Sequence, residues 1–426
     1  MLKRVQHDRS DKMHRISSNM NNMNTQSALR LQESKLNRAN NQISSQQKLL
    51  NLRDDPIAAG HLVRYQSYLG RVKNFEKNAL TLSDEFAVRE GYMQNSLEIM
   101  QRVRELAVTG ANGIYNEEDM KNMATEVDEL LKSLIQNANA IDADGKAIFA
   151  GTNTKTTAFD IEMGNVEGSG VPLIQNVRYN GNIDVNQVEV DENKYLVNDN
   201  AGNKTFWAEN QQIFGARDAS QWQANSDGII RIDGVEVKIK EGDNIYSVIS
   251  KINNSGAAVK ASLDPVRNGL NFETTDARQL WLEDVDGSVL NELGIIKDAS
   301  QRPPYNLGDG VRVSGGSMFD AVIAFRNALL SGDQESIGGR VLGVLDLGIN
   351  SLVTRLAKSG SEYERAQLNA TRSSKLALDV TQQISREGDL DYTEAITNLK
   401  MLDYTNQATL SQAGKMYSST LLNYMK

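Results

Sequence analysis

Residues 342–384 read LGVLDLGINSLVTRLAKSGSEYERAQLNATRSSKLALDVTQQI, and in this stretch Leu342, Ile349, Leu356, Tyr363, Ala370, Ala377 and Ile384 recur at every seventh position. Leu345, Leu352, Ala366 and Val380 fill the other apolar position of the same repeat. A seven-residue repeat keeps one narrow stripe of a helix turned toward a partner, so the stretch predicts a long helix of a coiled coil or bundle. Helical order begins upstream at Met318 and breaks at Gly388. A last helix then carries Leu399, Leu402, Leu410, Ala413, Tyr417, Leu421 and Tyr424 to the end of the sequence.

The amino-terminal half mirrors this pattern. Leu29, Leu36, Ile43 and Leu50 repeat by seven between Ser27 and Leu52, with Ala39, Gln32 and Gln46 at the alternate seam positions. Asp54-Asp55-Pro56 follows, where Asp55 reads as an N-cap and Pro56 as the first residue of a new helix. That helix takes Leu62, Tyr65, Leu69, Val72, Ala79, Phe86, Met93, Leu97 and Met100 along one seam and runs to Gly110 and Gly113. A third opens at Asn116 with Glu117, Glu118 and Asp119 in its first turn, where acids suit the helix dipole, and closes near Gly145. Five prolines against 32 glycines fit long uninterrupted helices, since an interior proline costs about 3 kcal/mol.

Between Thr152 and Gly316 glycine becomes frequent and period two replaces the helical period. Ile230, Ile232, Val235, Val237 and Ile239 form a hairpin around Asp233-Gly234, a helix follows at Ile245–Ile252, and Val259–Leu263, Leu270–Thr274 and Leu280–Glu283 read as strands. The predicted fold is mainly α with a β-rich middle: a long antiparallel coiled-coil or helical-bundle rod from both chain ends, plus an inserted α/β domain. The expected divisions are a polar leader (1–16), an N-terminal assembly helix (17–55), N-terminal rod helices (56–151), a β-rich outer domain (152–316), C-terminal rod helices (317–388) and a C-terminal assembly helix (389–426).

Ser17–Leu52 and Tyr392–Lys426 together hold 10 charged residues in 71, against 24% charged residues in the whole chain. A solvated face would be richer in charge, and a poorly stable stalk is the plain alternative. Charge depletion is a property of interface cores, so these helices are expected to pack against copies of themselves and to be largely unordered before they do. The assembly residues are then Leu29, Leu36, Ile43 and Leu50 with Leu399, Leu402, Leu410, Ala413, Tyr417, Leu421 and Tyr424.

A formal charge of -9 argues against nucleic acid as a partner. The absence of cysteine removes disulfides, thiolate zinc sites and cysteine nucleophiles. Met1–Met20 has no apolar run of the length a cleavable secretory signal needs, and no stretch reads as a membrane span. The histidines are His7, His14 and His61, none in the middle region, which leaves no HExxH site or Ser-His-Asp triad there. Glu283, Asp284 and Asp286 before Gly287 miss the EF-hand frame, which puts Leu282 and Leu293 at ligand positions. No catalytic, cofactor-binding or metal residues and no cofactor are expected.

The stretch Met13–Met20 (MHRISSNM), the segment Ser44–Ala58 and Arg102-Val-Arg104-Glu105-Leu106 before Ala111-Asn112-Gly113 resemble the amino-terminal region of the flagellin family, and the carboxyl end is similar too. Asp54, Asp55 and Pro56, with Phe149, Gly151 and Thr152 of Ala147–Thr152, resemble its hook-associated members more than its filament subunits. Gly242–Asn254 is similar to a small repeat of flagellar middle domains, and the leader Met1–Lys12 departs from the family, which starts at a position like Met13. The resemblance implies a structural adaptor between hook and filament, with no enzymatic role, exported unfolded through the flagellar type III apparatus. Its implied partners are copies of itself, another hook-associated protein, flagellin and an export chaperone, without nucleic acid or membrane. The filament subunit itself, a secreted coiled-coil effector and an enzyme on a helical scaffold are the alternatives.

Overall fold

A computed structural model describes residues 2–112, 115–297 and 300–424, with the side chains of 2–19, 21, 22 and 416–424 outside the description. Gly113 and the side chains of His7, His14, Tyr417, Leu421 and Tyr424 therefore lie outside it. The chain forms two compact units, one of Lys77–Ala370 and one of Met1–Glu76 with Thr371–Lys426.

The Lys77–Ala370 unit contains most of the helix Pro56–Gly110, whose 55 residues span roughly 80 Å. Ala79, Leu82, Phe86, Arg89, Met93, Ser96, Met100, Val103 and Ala107 are buried along it at alternating steps of three and four. Leu345, Leu352, Ser359 and Ala366 are buried at every seventh position of the helix Leu342–Gly388. The two run antiparallel: Ser83 donates to Gln367 Oε1 at 3.0 Å, and Arg104 pairs with Asp346, 21 residues forward on one helix and 21 back on the other.

Two shorter helices complete this core. Glu117–Ala138 starts on a capping box in which Asn116 Oδ1 accepts from Asp119 N at 2.8 Å and the Asp119 carboxylate accepts from Asn116 N at 3.3 Å. Met318–Ser331 is capped the same way by Ser317 and Asp320 and ends at Gly332 with φ 72°. They pack on each other, and the fully buried Arg326 donates to Asp128 Oδ1 at 2.7 Å and to the Ile174 carbonyl at 2.6 Å.

Among the described residues the β-rich part holds four small antiparallel sheets. β1 (Phe159–Gly164) pairs with β2 (Leu173–Tyr179), and β3 (Asn186–Asp191) with β4 (Lys194–Asn198). β5 (Asn210–Phe214), β8 (Val259–Leu263), β9 (Leu270–Ala277) and β11 (Arg312–Ser314) lie in the order β11-β5-β9-β8, and β6 (Gly228–Ile232), β7 (Val235–Ile239) and β10 (Leu282–Asp286) in the order β10-β6-β7. The β6–β7 turn is the expected one, with Asp233 at φ 47° and Gly234 at φ 85°. Helix Ile245–Asn253 buries Ile245, Val248 and Ile252 against these sheets.

Cores and sheets divide differently from the expected boundaries at 152 and 316. Ile213 through Ile296 surround a core of their own. Phe149, Phe159, Ile174, Tyr179, Phe206 and Trp281 belong instead to the helical core with Met100, Val127, Phe319 and Leu345. The β3–β4 hairpin packs Val190 and Leu196 on Ala79, Leu82, Phe86 and Ala366. The helical run Gln334–Gly388 contains an 18-residue window with mean hydropathy 1.2, apolar enough by composition to cross a membrane. The reading of the sequence finds no such span; Leu345 and Leu352 of that run are wholly buried in the seam.

In the second unit the helix Leu2–Ser45 packs on the helix Tyr392–Tyr424. The terminal segments thus pair as helices within one chain. The first helix also stops at Ser45, so Leu50 lies in the connection to Pro56 rather than on the helical seam. No glycine or proline marks that end; Gln46 turns the chain at φ 60°.

Candidate assembly surface

The connection between the first two helices is built by the residues of the Asp54-Asp55-Pro56 motif. Asp55 Oδ1 accepts from Ile57 N and Ala58 N, both at 3.0 Å, as an N-cap should. Asp54 Oδ2 accepts from Asn51 N at 3.1 Å, and its Oδ1 meets Arg38 of the terminal helix at 3.1 Å. Lys48 N donates to the Gly388 carbonyl at 2.8 Å and Leu390 N to the Gln46 carbonyl at 3.1 Å, which fastens this connection to the one between the last two helices. Asp391 Oδ1 then caps Tyr392–Tyr424 by accepting from Thr393 N and Glu394 N at 2.9 and 3.1 Å. Both terminal helices therefore leave from one hydrogen-bonded point, in opposite chain directions. Leu50 lines an open apolar hollow beside it with Leu52, Leu62 and Ile384.

From that point the two helices cover one stripe each. Ile43, Ala39, Leu36, Gln32, Leu29 and Thr25 are half-buried on the first, and Ala395, Leu399, Leu402, Asn406 and Thr409 on the last, with Ala413 buried. Outward from the Gln46–Leu390 bond the covered stripes run Ile43, Ala39, Leu36, Gln32, Leu29, Thr25 on the first helix and Ala395, Leu399, Leu402, Asn406, Thr409, Ala413 on the last. Each stripe holds few large apolar residues and includes polar ones, Gln32 and Thr25 on the first helix and Asn406 and Thr409 on the last, with the buried Asn406 Oδ1 lacking a hydrogen-bond partner. The seam is thin for so long a pair. Outside it, Met23, Leu31, Met401, Tyr404 and Leu410 are 64%, 58%, 69%, 80% and 52% exposed. Leu29, Leu36, Ile43, Leu399, Leu402 and Ala413 are thus brought together on the covered stripe. Leu410 lies on the outer face, and the side chains of Tyr417, Leu421 and Tyr424 lie outside the described residues.

The other motif residues lie in the Lys77–Ala370 unit and serve its packing. Arg104, whose guanidinium the Asp346 carboxylate holds above its ordinary range, joins the antiparallel helices; Leu106 is buried; Glu105 pairs with Arg102 at 3.1 Å. Phe149 sits edge-on to Phe206 with ring centroids 5.0 Å apart, in a cluster with Phe159 and Phe319. Gly151, at φ 68°, passes so close to Asn182 that a Cβ would strike it, and Asn182 Oδ1 accepts from Thr152 N at 2.7 Å. The sequence reading missed Arg89, which is buried on the seam, lies over the Phe86 ring and donates to Asn198 Oδ1 at 3.1 Å and the Asp199 carbonyl at 3.0 Å. Burial pulls its guanidinium below the ordinary range, with Glu362 opposing, and burial pushes the Glu362 carboxyl up. The only signal in the sequence was a charged residue at a seam step.

Among the described residues no three His, Cys, Asp or Glu side chains gather as a metal site. Asp284 accepts from Leu290 N and Asn291 N, while Glu283 pairs with Arg231 at 3.2 Å, so the acids before Gly287 hold a turn.

A chain whose two ends pair as charge-poor helices, with long helices and a β-rich insertion between them in sequence, has the plan of a polymerising structural subunit. Residues 16–154 match the bacterial flagellin N-terminal helical region and residues 223–276 the flagellin hook IN motif. Two segments of the chain, its amino-terminal third and part of its middle, are thus similar to flagellin-family regions. The flagellar hook-associated protein 3 of Escherichia coli is 24% identical over 252 residues, 59% of this chain and 72% of the relative. That of Salmonella typhimurium is 23% identical over 291 residues, 68% of this chain and 86% of the relative. Flagellins match as well, among them flagellin A of Vibrio anguillarum, 22% identical over 95% of this chain and 98% of the relative. A crystal structure of hook-associated protein 3 from Legionella pneumophila covers 76% of this chain and 97% of its own, with TM-score 0.46 and 15% identity.

Proposed function

We propose that this chain is the flagellar subunit that joins hook to filament, polymerising through its terminal helices as a structural adaptor and not as an enzyme. The observation that carries the assembly reading is the thin covered stripe of the terminal pair beside an outer face that is poor in charge and exposes Met23, Leu31, Met401, Tyr404 and Leu410. Leu29, Leu36, Ile43, Leu399, Leu402 and Ala413 hold the pair, Leu410 faces neighbouring copies, and Leu50, Tyr417, Leu421 and Tyr424 complete the interface. Its partners are copies of itself, a second hook-associated protein on the hook side, flagellin on the filament side, and an export chaperone before secretion. It acts outside the cytoplasm, on an external or a periplasmic flagellum. Against the filament subunit as the alternative stand Asp55-Pro56 and the Phe149–Thr152 corner, which resemble the hook-associated members. Gold labelling of purified hook-basal bodies with attached filament tests this: label confined to the distal end of the hook is expected, and label along the filament would make the chain a filament subunit. A null strain should build hooks and shed filament monomer.

A further inference from the structure

Within the Lys77–Ala370 unit a hollow of about 30 Å³ lies between the two antiparallel helices and the turn that follows β4. Ser359 lines it, is only 4% exposed, and its Oγ has no hydrogen-bond partner. A buried hydroxyl left unpaired is costly, and in a native interior such a group usually has a ligand or water. The charged groups around the hollow are unequal: Arg89, Lys204, Arg355 and Lys358 face it against Asp199 and Glu362. Asp199 is taken by Lys204 at 2.9 Å, and Glu362 is shared between Arg89 at 3.6 Å and Lys358 at 4.0 Å. Arg355 turns to Asp276 at 2.6 Å, outside the hollow. With Arg355 paired to Asp276, one positive charge remains in excess, where burial already pulls Arg89 and Arg355 down. A space of this size admits one water or one monoatomic ion.

We propose that this hollow is a site for a single chloride ion, which accepts the Ser359 hydroxyl hydrogen and offsets the excess positive charge between the two helices. A water would satisfy the hydroxyl and leave the charge as it is. With a formal charge of -9 the chain as a whole repels anions, so a chloride-specific effect would have to come from a built site. The direct experiment crystallises the full chain from sodium bromide and collects data at the bromine edge. A single anomalous peak within hydrogen-bond distance of Ser359 Oγ is expected; an ordered water there without anomalous signal overturns the proposal. In solution, hydrogen exchange of the amides around Arg89 and Ser359 is compared in sodium chloride and sodium gluconate at equal ionic strength. At chloride about ten times its Kd, protection should be about tenfold higher than in gluconate, and Ser359→Val, which fills the hollow, should remove the difference. Equal protection of the wild type in the two salts, or an undiminished chloride effect in the folded Val variant, overturns the assignment.

Discussion

Replacing Leu410 with Asp separates the chain's own fold from its assembly. Leu410 is 52% exposed, so about half of the roughly 1.5–3 kcal/mol that full burial of a leucine provides is already in place within the chain. The isolated protein should then lose on the order of 1 kcal/mol. In the assembled state the other half is lost as well, and an unpaired carboxylate enters a packed interface at a cost of several kcal/mol. Together this is about 5 kcal/mol per subunit, or between three and four powers of ten in the equilibrium constant. Leu402→Asp should behave differently, because Leu402 is half-buried on the covered stripe of the pair and its loss weakens the pair before any assembly. Incorporation into isolated hooks and hydrogen exchange of the free protein measure the two halves. If the Leu410→Asp protein adds to hooks as the wild type does, that face is not an interface. If its terminal helices open as readily as those of Leu402→Asp, the residue belongs to the chain's own seam.

Arg326→Met should destabilise the Lys77–Ala370 unit by about 3–5 kcal/mol because Asp128 and the Ile174 carbonyl lose a fully buried partner, with Lys132, 3.0 Å from Asp128, keeping the loss near the lower end. Chemical denaturation should show Arg326→Met with Asp128→Leu recovering most of it. Gly151→Val forces a β-branched residue to positive φ and drives it into Asn182, so it should cost more than the roughly 1–3 kcal/mol of backbone strain alone, read from the same midpoint. Asp55→Ala removes both hydrogen bonds to the first turn of the Pro56 helix and should cost about 1 kcal/mol, seen as faster amide exchange at Ile57 and Ala58.

The helices were legible because their seams are periodic and two of their starts carry chemical signals, Asp55 before Pro56 and Asn116 before three acids. The β6–β7 hairpin was legible from Asp233-Gly234, since few other pairs accept two positive φ angles. β3 and β4 were not, because their turn is Glu192-Asn193, with no glycine, and Gln187, Glu189 and Asp191 alternate with only two valines. β11 is three exposed residues whose partner β5 lies some hundred residues earlier, so no local pattern announces it. The buried polar steps Arg89, Ser96 and Ser359 sit on the heptad but not in its apolar vocabulary, and a search for leucines passes over them. Leu50 shows the reverse error, a leucine at the right spacing beyond a helix end that Gln46 makes without warning. Of the terminal pair, the covered stripe is readable from its spacing, whereas the exposed position of Leu410 is not.

Where the β-rich part can be removed follows from which core its residues join. β5 leads into the insertion and β11 leads out, and they pair side by side: Phe214 opposite Arg312, Ile213 opposite Val313, Gln212 opposite Ser314. Joining Phe214 to Arg312 through an Asn-Gly turn converts that pair into a hairpin and removes the Ile230–Ile296 core as a whole. The helical core then loses Trp281, which packs on it from the removed segment, and Arg355 loses Asp276. Cutting from 152 to 316 takes Phe159, Ile174, Val177, Tyr179 and Phe206 as well. At roughly 1.5–3 kcal/mol for each large apolar side chain these five amount to about 10 kcal/mol, the size of a whole domain's stability. The shorter excision should therefore leave a protein that melts cooperatively with its long helices intact by circular dichroism, while the longer one should lose cooperative melting. Two variants of equal stability would mean that the aromatic cluster around Phe206 contributes little to the helical core, and the division drawn from the two cores would be wrong.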